Sequence, residues 1–256
     1  MYLSAERLAL ANQAVTETFE QCSVAWQAIP HWDTGDPGQI RVADGKFNAP
    51  LFITMTLQDE QFDVSLAQAN SPTPDALLAE VMAVTRALAK KVDDDILPDL
   101  YTGAGTTLGT TNVLQNLQDQ LITARARVED AGYRAPSCLI ANTRALVALT
   151  QFSGTTPIIK DILEAANVNA LHRTSTLNPP NDANSRLVLI GRRRRIPQGA
   201  APDASPGEEP VDIAVSLPPS LEIDGETVAG HIHFTARIRY ALRITDALGL
   251  ANIHNP

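Results

Sequence analysis

From His231 to Thr245 the chain alternates. The even positions are Ile232, Phe234, Ala236, Ile238, Tyr240, Leu242 and Ile244; the odd ones are His231, His233, Thr235, Arg237, Arg239, Ala241, Arg243 and Thr245. Period two held for about fifteen residues predicts one strand near 50 Å long, far beyond the usual five or six residues. Such a strand crosses a whole domain and bends between two structural regions. The fold must therefore contain an elongated sheet.

The rest of the chain supplies helices for that sheet. Leu8, Val15, Phe19, Cys22 and Trp26 share one face and predict a helix over Ser4 to Ile29, capped by Ser4 and ended by Pro30. After the turn-rich stretch 31–38, this makes an arm that packs on its own domain or reaches a neighbour. Leu51 to Ala67 alternates in two arms interrupted at Asp59-Glu60, which predicts a long hairpin needing cover from another surface. Thr73, as N-cap, opens a helix with Pro74 at N1 and Leu77, Val81, Val84, Leu88, Val92 and Ile96 as its apolar stripe. Pro98 and Gly103 close it after about 24 residues, roughly 36 Å. Between Leu108 and Arg192 helical and strand patterns mix, which predicts a compact α+β subdomain. The Pro-rich stretches 177–185 and 197–210 read as exposed, mobile loops.

Composition narrows the function. Of 256 residues, 44% are hydrophobic, enough for a sizeable core, and only 5% are aromatic, so aliphatic side chains must fill it. No apolar run is long enough for a membrane helix, and residues 1–12 lack the apolar segment of a secretory signal, so an intracellular product is expected. Twenty basic against twenty-nine acidic residues give a charge of -9, which argues against sequence-specific nucleic-acid binding. Sixteen of the twenty basic residues are arginine, a composition that suits desolvated interfaces and also follows from a GC-rich genome.

No phosphate-binding loop, nucleophile elbow or zinc-protease pattern is present, and no catalytic, cofactor or metal residue is assigned. His231 and His233 share a strand face without an evident third metal ligand. Gly103-Ala104-Gly105 follows a helix and reads as a flexible connector. Cys22 and Cys138 read as small buried hydrophobes. Asp93-Asp94-Asp95 suits pairing with a cation on another element or subunit. Arg192-Arg193-Arg194-Arg195 stays open between a polyanion patch, intersubunit ion pairs and a solvated strand exit.

The order of elements, with "FITMTLQDEQFDVSLAQANSP", "ALLAEVMAVTRALAKKVDDDILPDLYTGAG" and "LQDQLITARARVEDAGYRAPSCLIANTRALVAL", resembles the major capsid proteins of tailed bacteriophages, the Hong Kong 97 type, whose fold encapsulin shell proteins share. The resemblance implies an α+β fold with an N-terminal arm (1–47), an E-loop hairpin (48–70), a peripheral domain with the spine helix (71–107), an axial domain (108–218) and a C-terminal return strand (219–256). It implies a structural, non-enzymatic shell protein whose hexamers and pentamers form an icosahedral phage head around double-stranded DNA, assembled in the host cytoplasm. Scaffold, portal or decoration proteins are the implied partners, with no membrane and no cofactor. The alternative it implies is an encapsulin enclosing a cargo enzyme in a bacterial cytoplasm, its N-terminal helix helping to form the cargo-docking surface. Intersubunit contacts are then expected at Phe19, Trp26, Phe52, Ile53, Asp59, Glu60, Phe62, Val64, Arg192, Arg193, Arg194, Arg195, Arg237 and Arg239. Some such phages crosslink lysine to asparagine between subunits. Lys46, the only lysine near the hairpin, lies outside its tip, so no autocatalytic site is expected.

Overall fold

The computed structural model describes residues 3–46, 50–153, 156–178, 184–227 and 229–255. Two helices come first, α1 (Ala5–Cys22) and α2 (Val24–Ala28). The Ser4 hydroxyl caps α1 by accepting from the Arg7 N–H. The one helix expected here breaks at Ser23, because a buried carboxylate fastens the chain there. Asp93 accepts from the Ser23 hydroxyl at 2.8 Å and from the Val24 and Ala25 N–H groups at 2.9 Å.

Short strands β1 (His31–Asp33), β2 (Arg41–Ala43) and β3 (Phe52–Thr54) lead into β4 (Thr56–Ser65). A short turn of helix, α3 (Leu66–Ala69), precedes the long helix α4 (Asp75–Thr102). Then come β5 (Thr106–Gly109), α5 (Leu114–Asp130), β6 (Ala135–Asn142), α6 (Thr143–Leu149), β7 (Phe152–Ser153), β8 (Thr156–Pro157), α7 (Ile159–Ala165), β9 (Val168–Thr174) and β10 (Arg186–Arg192). Two long strands, β11 (Val211–Glu226) and β12 (His231–Ile244), and a short one, β13 (Leu250–His254), complete the chain.

These strands build two main sheets, in the orders β1-β11-β12-β4 and β5-β13-β10-β6-β9. The alternation that predicted β12 is correct: Ile232, Phe234, Ala236, Ile238 and Tyr240 all face the core. Beyond Tyr240 both faces are covered, since Ala241 and Arg243 are buried as well. Helices α1, α2 and α4 lie on the inner face of the long sheet and share their core with Cys138, Ile140, Val188 and Ile190 of the second sheet. Helices α5, α6 and α7 cover that second sheet's other face. The backbone is thus elongated, as the 14-residue β12 requires.

The expected hairpin over Leu51–Ala67 is not formed. β4 runs unbroken through Asp59-Glu60 and pairs with β12 along its whole length, from Ser65 opposite His231 to Thr56 opposite Tyr240. The two acids interrupt the hydrophobic pattern without turning the chain, because α4 supplies their partner. Lys91 pairs with Glu60 at 2.9 Å and donates to the Asp59 carbonyl at 3.0 Å. The two-stranded ribbon in this part of the chain is instead β2–β3.

Other expectations change too. α4 begins at Asp75 with no side-chain cap and continues through Pro98, held by the fully buried Leu97 and Leu100 on either side of it. Gly103-Ala104-Gly105 is a tight packing point and not a loose connector. A Cβ on Gly103 would lie 2.3 Å from Ile244 Cδ1, and one on Gly105 2.6 Å from the Ala247 carbonyl oxygen. Cys138 is buried, but Cys22 is exposed, one residue before the break at Ser23. The 197–210 stretch is anchored, with Ala201, Ala204 and Glu209 buried. Much of the other expected loop, 179–183, lies outside the described residues.

Candidate subunit interface

Among the described residues the three most exposed large apolar side chains, Phe52, Leu51 and Ile40, lie on or beside the β2–β3 ribbon. Its cross-strand pairs are Arg41–Thr54, Val42–Ile53 and Ala43–Phe52. Paired residues share a face, so the ribbon has two. Val42 and Ile53 turn inward and pack with Met55, Trp32, Ala214 and Ala241 on the outer face of the long sheet. Arg41, Ala43, Phe52 and Thr54 turn outward. Phe52 is 76% exposed, Leu51 69% and Ile40 61%. Phe52 thus stands on the outward face, while Ile40 and Leu51, at the two ends of the ribbon, fall on the Val42–Ile53 side and are still exposed; none of the three is covered by the described residues.

The root of the ribbon is rigid. Asp212 and Arg243, both buried, form a two-pronged ion pair with N–O distances of 2.7 Å. Arg243 also donates to the Ala43 carbonyl at 3.1 Å and lies 4.8 Å over the Trp32 ring, whose Nε1 donates to Asp212 at 3.2 Å. Near the tip, the Asp44 carboxylate accepts from the Lys46 and Leu51 N–H groups. At the other end Met55 N–H donates to the Ile40 carbonyl. The sequence offered no way to find Arg243: it sits among the alternating residues like Arg237 and Arg239, and Asp212 was unmarked.

The residues expected at intersubunit contacts separate into groups. Phe52 and Ile53 lie on the ribbon, Phe52 outward and Ile53 half-buried beneath it. Phe19 and Trp26 are instead core residues of the single chain, packed edge-to-face with ring centroids 5.3 Å apart. Val64 is fully buried, and Phe62 stacks on Phe234 at 5.2 Å. Their apolar faces therefore need no partner copy, contrary to expectation, because α4 and the long sheet already cover them. Asp59 and Glu60 are held by Lys91, as described above.

The arginines other than Arg195 likewise find partners within the chain. Arg192 is buried and donates to the Ala28 carbonyl, which ties the end of β10 to α2. Arg193 lies 5.0 Å over the Tyr133 ring, and its N–H donates to Glu209. Arg194 pairs with Glu208 at 2.9 Å. Arg195 is exposed and makes no ion pair among the described residues. Arg237 pairs with Glu222, and Arg239 donates to the Pro37 carbonyl at 2.9 Å. His233 pairs with Asp63, while Asp94 and Asp95 of the acidic cluster meet Lys90 and the Tyr240 hydroxyl.

Burial tunes a few of these groups. Asp93 is pushed up to about 6 by desolvation, which outweighs its three hydrogen bonds. Burial holds His31, tilted against the Trp26 ring, down to about 4. Among the described residues no cluster of three His, Cys, Asp or Glu is placed to hold a metal ion. No described helix is long and apolar enough to cross a membrane.

No protein-family model matches the sequence, and no curated protein matches it. Solved structures are similar in backbone. A virus-like particle from Pyrococcus furiosus superposes with a TM-score of 0.70 at 13% identity, covering 97% of this chain and 100% of that one. A phage-related protein from Bordetella bronchiseptica gives 0.67 at 12% identity, covering 94% and 96%. The encapsulin of Synechococcus elongatus gives 0.60 at 13% identity, covering 91% and 87%. The path of this chain, with its N-terminal helices, two-stranded ribbon, long helix, long-stranded sheet and second compact sheet, is the Hong Kong 97-type fold of phage capsids and encapsulins.

Proposed function

We propose that many copies of this chain assemble into a closed icosahedral shell. The observation that carries this reading is the β2–β3 ribbon, which presents Ile40, Leu51 and Phe52 to solvent on a root fixed by Arg243 and Asp212. Apolar side chains held in a fixed position lose their exposed surface when they lie on a neighbouring copy. In this reading the ribbon is the E-loop, α4 the spine helix, the long sheet the peripheral domain and the five-stranded sheet the axial domain. Within that class we favour a phage major capsid protein around double-stranded DNA. The net charge of -9 suits a container that does not adhere to its contents.

A second reading, an encapsulin with a protein cargo, has one observation in its favour. A groove of ≈ 270 Å³ runs between α1 and α4, with Leu10, Leu78 and Met82 along it. Leu10 and Met82 are partly exposed, which suits an extended peptide with apolar side chains. Replacing Ile40, Leu51 and Phe52 together by serine tests the shared claim: soluble, folded protomers that form no particles are expected, and intact particles would refute the ribbon's role. Particles isolated from the native source separate the two readings. Nuclease-protected double-stranded DNA supports the capsid, and a stoichiometric protein cargo supports the encapsulin.

A further inference from the structure

A small polar cleft of ≈ 180 Å³ opens where the α1–α2 break meets α4 and the end of β9. Its walls include Cys22, Arg86, Lys90, Arg173 and Thr174, with one carboxylate, Asp93, among them. Three cations thus converge on one cleft in a chain whose net charge is -9. The carboxylates nearby are already engaged. Asp93 accepts the three hydrogen bonds from Ser23, Val24 and Ala25. Asp94 takes Lys90 and the Thr176 hydroxyl, the latter at 2.9 Å. Two guanidinium groups are left over. Arg86 makes no hydrogen bond or ion pair among the described residues. Arg173 donates only to the Thr143 hydroxyl, at 3.0 Å.

A guanidinium offers a planar fork of donors that matches a tetrahedral oxyanion, and a charge-assisted bond of this kind is roughly twice as strong as a neutral one. Two such forks from different elements, α4 and β9, with hydroxyls beside them, form an oxyanion cradle. We propose that this cleft binds a phosphate group, supplied either as free orthophosphate or by a nucleic-acid backbone. The site reads no base, since none of its walls is an aromatic platform. It stands apart from the shell reading, so failure of either leaves the other untouched.

Cys22 provides a reporter in the cleft wall, because it is exposed while Cys138 is buried. Alkylation of the full chain by iodoacetate, an anion, is compared with alkylation by neutral iodoacetamide at low salt. The ratio of the two rates at Cys22 is expected to be about fivefold higher than in the Arg86→Gln/Arg173→Gln variant. Orthophosphate is expected to protect Cys22 from both reagents, and sodium chloride at matched ionic strength is not. Protection by a short thymidine oligonucleotide as well identifies a backbone phosphate as a source; protection by orthophosphate alone identifies the free ion. Equal protection by chloride overturns the proposal in the native chain alone, and so does undiminished protection in the folded variant.

Discussion

Phe19 and Phe52 are the same residue type with opposite surroundings, and that contrast can be measured. Phe19 is fully buried in the protomer, whereas Phe52 is 76% exposed on the ribbon. Covering a phenylalanine side chain yields roughly 1.5–3 kcal/mol. At the exposed fraction of Phe52 about 2 kcal/mol remains to be gained per contact, so Phe52→Ser weakens each contact roughly 30-fold. The protomer itself, which never used that surface, keeps its stability within about 0.5 kcal/mol. Phe19→Ala reverses the pattern and costs the protomer about 3–5 kcal/mol. The assay pairs urea unfolding of unassembled protein with the concentration at which particles appear by light scattering. An unchanged assembly threshold in Phe52→Ser, or a destabilised protomer, would show that the ribbon face is not an interface.

Three further outcomes follow from buried charges. Arg243→Met leaves Asp212 buried without its partner and costs about 3–5 kcal/mol; adding Asp212→Asn restores part of it, and two additive losses in urea melts would contradict the pairing. Asp93 and His31 pull stability in opposite directions with pH. Asp93, raised to about 6, contributes stability that is present at low pH and lost as pH rises through 6; His31, lowered to about 4, contributes stability present above 6.5 and lost as pH falls toward 4. Asp93→Asn should therefore steepen the loss of stability between pH 6 and 4, and His31→Phe should flatten it; identical slopes in urea titrations refute the assignment. Arg192→Glu should destabilise the protomer severely, because it places a carboxylate against the Ala28 carbonyl, while exposed Arg195→Glu should change stability by no more than about 0.5 kcal/mol. Equal effects at the two positions would mean the run is a single surface patch.

The sequence disclosed elements whose pattern is local. β12 follows from its alternation, and α4 from its apolar stripe, since both periods are set by backbone geometry alone. β11 stayed hidden because Pro218 and Pro219 interrupt it; the strand accommodates them where its register against β12 shifts, between Leu217 and Ser220. The false hairpin came from reading Asp59-Glu60 as a turn, when Lys91, 31 residues beyond Glu60, makes an extended backbone favourable. The same limit governs the interface. Phe19, Trp26 and Val64 were indistinguishable in sequence from Phe52, because apolarity does not reveal whether cover comes from the same chain. The ribbon root depends on Asp212 and Arg243, which lie 31 residues apart on adjacent strands and carry no motif. Only the strand register brings them together.

The most direct test is electron microscopy of the purified full-length protein, with sedimentation velocity on the same sample. Closed particles of uniform diameter, each far heavier than the 27.5 kDa chain, are the expected result. A sample that stays monomeric at every concentration and salt tried would contradict the shell.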